Sequence, residues 1–349
     1  MRPHRPPTGL LTALAVTGLA TAAAIPTEEG GPWTTESLKH RAIEDFDFAL
    51  GRTVWRNLDS EIELFGVAFP VDFLGPMHLE IDSNGDETPD EDVKGAFGFV
   101  DLKGETDDGE VFHYGVRFKN EGDRKWSWAA AGAMVGKVNG TVISVIDADA
   151  NGSYDDYGVD GLVIGSHRGA GYVSRIVNID GELFEFDISE DGTEVKTRPW
   201  TGETGTLQLD KPEKIKAEVA NAIFRLKKDV SFELANVKGA LTVPVGEYEF
   251  AAALLERRAE SARVRGGRRE PVEVAAGAEV TFEWGGPLTA EAPTPTIRGG
   301  KATLSPSLKI FGDGGEEYYD FQPTKVVPSF EIKDAETGKR LEKGRFPAG

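Results

Sequence analysis

Short segments in which apolar and polar residues alternate recur along the chain, and they predict β-strands. Alternation with a period of two places successive side chains on opposite faces of a strand. Clusters of Gly, Asn or Asp bound each segment, as expected for strands joined by turns. The segments are Glu61–Phe69, Val111–Phe118, Lys125–Ala131, Thr141–Ile146 and Leu183–Ile188. Together they predict an all-β, mainly antiparallel fold.

Two hairpin turns and two ambiguous segments complete the prediction of secondary structure. Asp180-Gly181 and Asp191-Gly192 have the composition of tight hairpin turns. The segment Ser37–Leu50 is compatible with a short helix, but its aromatic and aliphatic residues alternate at the end and favour a strand. The segment Ala217–Lys228 is the other helix candidate, although alternation also fits its last residues.

Two acidic stretches, each directly after an apolar run, are the main candidates for chemistry. We call residues 82–92 the first acidic loop and residues 147–160 the second acidic loop. In both, oxygen-bearing residues recur at every second position, which is how a tight loop surrounds a hard cation such as Ca²⁺. The predicted calcium ligands are Asp82, Asn84, Asp86, Thr88 and Asp90 in the first loop, and Asp147, Asp149, Asn151, Ser153, Asp155 and Asp160 in the second.

The second acidic loop resembles the Asp-x-Asp-x-Asp-Gly loops of EF-hand-like and dockerin modules. Gly152 stands at position 6, where those loops turn sharply. The bidentate Glu expected at position 12 is absent, since Gly158 stands there, and Asp156 or Asp160 is a candidate substitute. The alternative interpretation is a solvated turn rich in Asp, Asn and Gly.

The first acidic loop resembles the calcium-binding repeats of thrombospondin type 3, with the pattern Asp-x-Asp-Gly-Asp-Gly-x-Pro-Asp. Gly85, Pro89 and Asp90 match that pattern, whereas Glu87 replaces its second glycine. Asp92 falls one residue short of the closing position. A solvated acidic turn is again the alternative. If either loop binds calcium, the resemblance implies a structural ion of the weak, extracellular class.

The length of 349 residues allows two or three domains. We predict a β-rich domain over residues 25–212 that holds both loops, and a β-sandwich over residues 213–349, as one unit or as two (213–286 and 287–349). The segments Leu241–Phe250 and Val272–Phe282 contain a Pro-x-Gly-x-Tyr turn and an Ala-Gly corner. They resemble the transthyretin-like and carboxypeptidase-regulatory β-sandwich, which implies an architecture and no activity. We therefore predict a transthyretin-like or immunoglobulin-like sandwich for this region.

The N-terminus has the features of a secretory signal peptide over residues 1–24. Arg2 and Arg5 precede an apolar stretch that is too short for a membrane span, and Ala22-Ala23-Ala24 offers a cleavage site. We therefore predict that the protein is exported and that it has no membrane span after the signal peptide. It contains no Cys, and its net charge of −20 argues against nucleic acid as a partner. A retained N-terminal anchor is the alternative.

An arginine-rich segment is the candidate for anion or partner binding. Such a cluster can bind anionic glycans, dock on the acidic surface of the chain itself, or simply form a solvated hairpin tip. Its members are Arg257, Arg258, Arg263, Arg265, Arg268 and Arg269. The paired aromatics Trp126 with Trp128 and Phe184 with Phe186 fit either sugar stacking or core packing.

Signals for catalysis are weak. The histidines are isolated, and the chain has no nucleophile motif, no phosphate-binding loop and no dinucleotide fingerprint. The organisation resembles exported bacterial proteins with Asp-rich loops and trailing β-sandwiches. We therefore expect a non-enzymatic role in binding or in the cell envelope or surface, with a glycan or an envelope protein as partner. The alternatives are a polysaccharide hydrolase with an accessory sandwich and an inhibitor or other partner-binding module.

Overall fold

The computed structural model describes residues 31–210, 216–294, 296–299, 301–303, 308–323 and 329–345. Every regular element in these ranges is a β-strand, and all pairings between strands are antiparallel except one. The predicted all-β, mainly antiparallel fold is confirmed. The predicted signal peptide, residues 1–24, lies outside the described residues. No helix within them is long and apolar enough to cross a membrane.

Eighteen strands precede residue 210. They are β1 Thr34–Ser37, β2 Lys39–Ala42, β3 Arg56–Asn57, β4 Glu61–Leu64, β5 Val67–Gly75, β6 His78–Ile81, β7 Glu91–Lys94, β8 Phe97–Glu105, β9 Val111–Gly122, β10 Lys125–Ala130, β11 Gly132–Val138, β12 Thr141–Ile146, β13 Gly161–Ile164, β14 Gly171–Tyr172, β15 Ile176–Ile179, β16 Glu182–Ile188, β17 Glu194–Pro199 and β18 Thr204–Leu209.

Fourteen further strands are described after residue 216. They are β19 Glu218–Lys227, β20 Val230–Glu233, β21 Leu241–Pro244, β22 Gly246–Arg257, β23 Glu260–Arg265, β24 Val272–Val274, β25 Glu279–Phe282, β26 Thr289–Glu291, β27 Thr296–Arg298, β28 Lys301–Thr303, β29 Lys309–Phe311, β30 Glu317–Gln322, β31 Ser329–Lys333 and β32 Arg340–Arg345.

Four sheets form the N-terminal region. Their strand orders are β1-β17-β16-β15, β3-β10-β9-β8, β14-β13-β12-β11-β2 and β4-β5-β6-β7. Alternation buries one face of each strand, as in β8, where Val100 and Leu102 are buried between exposed neighbours. The buried faces share one large core that includes Phe69, Tyr114 and Phe118.

Neither helix candidate forms a helix, and one predicted strand is a hairpin. Ala217–Lys228 contains β19, whereas within Ser37–Leu50 the strand β2 ends at Ala42. The alternating residues Phe46, Phe48 and Leu50, which favoured a strand, lie outside any strand. The run Glu61–Phe69 contains a turn at Phe65 and Gly66, whose φ angles are 51° and 78°. The alternation changes phase at this turn, because Ile62 and Leu64 before it and Val67 and Phe69 after it differ by an odd number of positions. At the predicted Asp180-Gly181 turn both φ angles are positive, and β15 pairs with β16 across it.

The C-terminal region forms a second core between two sheets. The larger sheet runs β20-β19-β22-β23-β30-β29-β26, and the smaller one runs β21-β18-β25. Phe224, Phe250, Phe282 and Trp284 pack together, with ring centroids 4.7–5.3 Å apart. Burial of such large aromatic side chains is a principal source of core stability. The arrangement is sandwich-like.

The Pro-x-Gly-x-Tyr segment joins β21 to β22 at a corner. The Tyr248 side chain is fully buried, and its hydroxyl donates a hydrogen bond of 2.7 Å to the Pro244 carbonyl. Gly246 between them has a φ of 146°, which favours glycine, and a Cβ there would clash with Leu226. The spacing of these three residues thus fits the corner they form.

One strand links the sequence on the two sides of residue 212. β18 precedes residue 212, and it pairs with β21 and, in parallel, with β25. The strands β26, β29 and β30 belong to the larger C-terminal sheet, because β30 pairs with both β23 and β29, and β29 pairs with β26. The sequence of a short strand at a junction does not indicate which of the two regions the strand joins.

The four paired aromatics are core residues. Trp126, Trp128, Phe184 and Phe186 are all buried, with at most 8% of their surface exposed. A ring buried to this extent has no open face for a sugar to stack on. Core packing is therefore the interpretation that the structure supports.

Candidate metal centre

The ends of the second acidic loop meet because the strands that flank the loop are paired. β12 ends at Ile146, β13 begins at Gly161, and these two residues lie opposite one another in an antiparallel register. Asp147 directly follows β12, and Asp160 directly precedes β13. The sheet thus brings together two carboxylates that are far apart in sequence.

Both of these carboxylates are buried. The exposed fraction is 1% for Asp147 and 0% for Asp160. Asp147 accepts hydrogen bonds from the Tyr114 hydroxyl at 2.6 Å and from the backbone N–H of Gly152 at 2.7 Å. Asp160 accepts the backbone N–H groups of Ala148 and Asp156 at 3.0 and 3.1 Å. These bonds hold both side chains in fixed orientations.

Asp149 completes a group of three carboxylates. One oxygen each from Asp147, Asp149 and Asp160 lies within 4.8 Å of the other two. Oδ1 of Asp149 is buried and has no hydrogen-bond partner. Buried polar atoms are normally paired, so this unpaired carboxylate oxygen beside two other carboxylates is free to serve as a cation ligand.

The electrostatics of the group agree with this geometry. Burial and, to a smaller extent, the nearby Asp147 carboxylate together raise the pKa of Asp160 to about 9. Burial also raises the pKa of Asp147 to about 6, although its hydrogen bonds to Tyr114 and Gly152 oppose the shift. Like charges that are close together disfavour ionisation of both groups. A divalent cation would remove that repulsion.

The other predicted ligands of the second loop lie elsewhere. The Asn151 oxygen accepts the Ser153 backbone N–H, and its amide donates to Asp156. The Ser153 hydroxyl donates to Asp155 at 2.6 Å. Asp155 is not in the carboxylate group.

Position 12 of the loop has no room for a side chain. A Cβ on Gly158 would clash with the Lys228 carbonyl oxygen, and the φ of 78° favours glycine as well. The carboxylate that could close the site comes instead from Asp160, two residues later.

The first acidic loop directs its side-chain oxygens toward its own backbone. Asp82 is fully buried and accepts N–H groups from Asn84, Gly85 and Glu87 at 3.0, 2.8 and 2.7 Å, and from Asp86 at 3.4 Å. A second set of these contacts ties the other end of the loop: Asp90 accepts both the backbone N–H and the hydroxyl of Ser83, and the Asn84 amide. Asn84 and Asp86 each accept one further N–H, the latter from Thr88. The structure does not gather the predicted ligands of this loop into a carboxylate group.

A second group of possible ligands escapes sequence analysis. His78 and Glu80 on β6 and Asp92 on β7 place ligand atoms within 4.8 Å of one another. His78 contacts Asp92, and Lys94 Nζ lies 2.7 Å from the other Asp92 oxygen. These contacts lower the pKa of Asp92, Lys94 having the larger effect. The spacing of His78 and Glu80 in the sequence indicates that they share one face of a strand. Only the pairing of β6 with β7 shows that Asp92 lies beside them.

Most of the predicted arginine patch is paired with acidic residues of the chain itself. Arg265 lies 2.9 Å from Glu317, Arg263 lies 3.4 Å from Asp320, and Arg268 pairs with Glu291. Arg269 lies 3.9 Å from the fully buried Glu316 and stacks on Phe282. Only Arg257 and Arg258, at the exposed β22–β23 turn, form no ion pair within the described residues. The pairing corresponds to the alternative in which the arginines dock on the acidic surface of the chain.

An open, polar groove of about 570 Å³ adjoins the second loop. Its lining includes Arg56, Asn57, Glu61, Glu63 and Asn151. Arg56 Nε donates to the Asp149 carbonyl at 2.8 Å, so the groove and the carboxylate group share a backbone segment. An ion that fixes the loop would therefore also fix one wall of the groove.

Comparison with protein-family models, with curated proteins and with solved structures found no match for this chain.

Proposed function

We propose that this is an exported, non-enzymatic protein whose second acidic loop binds one structural calcium ion, and that it acts in binding or in the architecture of the cell envelope or surface. The observation that supports calcium is the buried Oδ1 of Asp149, unpaired beside Asp147 and Asp160. Three carboxylates and no nitrogen or sulfur donors are the ligand set that hard cations prefer.

The site is suited to a structural role. It lies at the end of two paired strands, and its carboxylates are tied to the backbone N–H groups of the loop. Metal bound there would fix the loop and the adjoining groove. The apolar segment at residues 9–24, followed by small residues, supports export, and mass analysis of the secreted chain would test cleavage after Ala24.

Calorimetric titration of the mature chain tests the metal site. We expect saturable heat with Ca²⁺ and a much smaller response with Mg²⁺, which demands a smaller and more regular ligand shell. Asp149→Asn removes a charge without removing any hydrogen bond that holds the loop, and it should abolish the calcium response. Asp90→Asn in the first loop is the matched control and should leave the calcium response unchanged. Equal heats for the wild type and Asp149→Asn would reject the proposed site.

A further inference from the structure

A cavity of about 360 Å³ lies between the N-terminal and C-terminal regions. Tyr172 and Val177 line it from β14 and β15, and Ser231, Phe232 and Glu233 line it from β20. Leu162, Ile164, Val237 and Leu241 complete a largely apolar wall. Both the volume and the position at a junction between two regions are typical of small-molecule sites.

A buried hydroxyl in this cavity wall lacks a partner. Ser231 is 5% exposed, and its Oγ forms no hydrogen bond. The backbone N–H of the same residue is satisfied by Ser174 Oγ at 3.1 Å. Since buried hydroxyl groups are normally paired, this one points to a ligand or to ordered water.

Glu233 places a carboxylate in the cavity wall; burial raises its pKa, and the N–H donors around it oppose that shift. Its carboxylate accepts the backbone N–H groups of Ala222 at 3.1 Å and Ala235 at 2.7 Å, together with two N–H groups of Asn236. All these partners are donors, which is the arrangement that an ionised carboxylate requires. No described residue forms an ion pair with Glu233, although buried charges are normally paired.

Two further charged groups lie at the rim of the cavity. Asp180 accepts a hydrogen bond from the Thr141 hydroxyl and forms no ion pair within the described residues. Lys238 is exposed and also lines the cavity. Burial lowers the pKa of the lining residue His167, which favours its neutral form. The lining thus holds two carboxyl groups, Glu233 and Asp180, and one ammonium group, Lys238.

We propose that this cavity binds a small organic cation, an ammonium group on a short apolar stem. The ammonium supplies the counter-charge that Glu233 and Asp180 lack, and the half-buried Tyr172 ring lines the same cavity. The aliphatic wall covers the stem. This inference goes beyond the calcium site and does not depend on it, because no residue of the carboxylate group lines the cavity.

Three probes, each with six carbon atoms in an unbranched chain, test the proposal: hexylammonium, hexan-1-ol and hexanoate, each titrated into the mature chain by NMR, once with Ca²⁺ and once with EGTA. We expect hexylammonium to bind at least about ten-fold more tightly than hexan-1-ol, and hexanoate not to bind. N-acetyl-lysinamide in a parallel titration distinguishes a free amine from a lysine side chain as the source. Equal affinity for the three probes, tighter binding of hexanoate, or no binding of any probe would overturn the proposal.

Variants assign the effect to the cavity. Glu233→Gln and Asp180→Asn should each reduce the preference for hexylammonium over hexan-1-ol, whereas Asp107→Asn on a distant exposed turn should not. Glu233 accepts hydrogen bonds from four N–H groups, and its replacement can therefore affect folding. If Glu233→Gln does not fold, Asp180→Asn at the exposed position decides the test. Lys238→Ala removes the competing ammonium and should tighten binding of hexylammonium. An unchanged preference in both carboxylate variants would contradict the assignment.

Discussion

The two acidic loops begin alike and differ in what their carboxylates contact. Each follows a strand directly, and each opens with a buried Asp that accepts backbone N–H groups of its own loop. In the first loop, Asp82 and Asp90 contact only donors of the loop itself. In the second, longer loop, Asp147 and Asp160 are joined by Asp149, which leaves an oxygen unpaired. An acidic composition alone therefore does not specify a metal site; the loop must also leave oxygens that the backbone does not use.

The largest effect is expected from Asp82→Ala. This change leaves up to four N–H groups without their acceptor, and we expect it to lower the free energy of unfolding by about 3 kcal/mol. The loss should be the same in Ca²⁺ and in EGTA, because the carboxylate organises the loop without an ion. Chemical denaturation under both conditions measures it. A loss that appears only in Ca²⁺ would show that the first loop is a metal site as well.

A smaller effect is expected from removing calcium. An ion whose dissociation constant is ten-fold below its free concentration stabilises the fold by about 1.4 kcal/mol. EGTA should therefore lower the melting temperature of the wild type and have no effect on Asp149→Asn. Should EGTA destabilise both proteins equally, the ion would bind elsewhere, with the His78, Glu80 and Asp92 group as the first place to look.

The smallest effect is expected from a change of pH, measured as the change in the free energy of unfolding of the metal-free protein per pH unit. The pKa of Asp160 is raised from 3.8 to about 9, so between these values the folded chain holds a proton that the unfolded chain has released. The free energy of unfolding contributed by this group therefore falls as the pH rises, by at most about 1.4 kcal/mol per pH unit. Denaturation in EGTA at pH 7 and pH 8 measures the slope, and Asp160→Asn should flatten it. An identical slope in that variant would show that Asp160 is not the group responsible.

Alternating and short apolar runs in the sequence predicted several strands well. Val111–Phe118 and Thr141–Ile146 lie within or coincide with β9 and β12. Alternation was less informative at Phe65, where a non-glycine residue has a positive φ and a turn interrupts the run. It also gave no information on β18, because a strand's sequence does not name its partner.

For the candidate site too, the sequence predicted one part and only the structure showed the other. The residue pattern was enough to identify Asp147, Asp149 and Asp160 among the predicted ligands, since oxygen ligands at this spacing are typical of calcium loops. It could not separate them from Asn151, Ser153 and Asp155, which form hydrogen bonds within the loop. The antiparallel register of β12 and β13 makes that selection, because it brings Asp160 to Asp147.

The sequence by itself determined the β class of this protein and the two places where acidic oxygens are concentrated, because both are set by the order of residue types along a few neighbouring positions. Only the tertiary structure decided which carboxylates meet, which arginines are neutralised and where an unpaired buried charge lines a cavity. Those properties depend on distances between residues that are remote in the chain, and strand pairing and burial fix these distances.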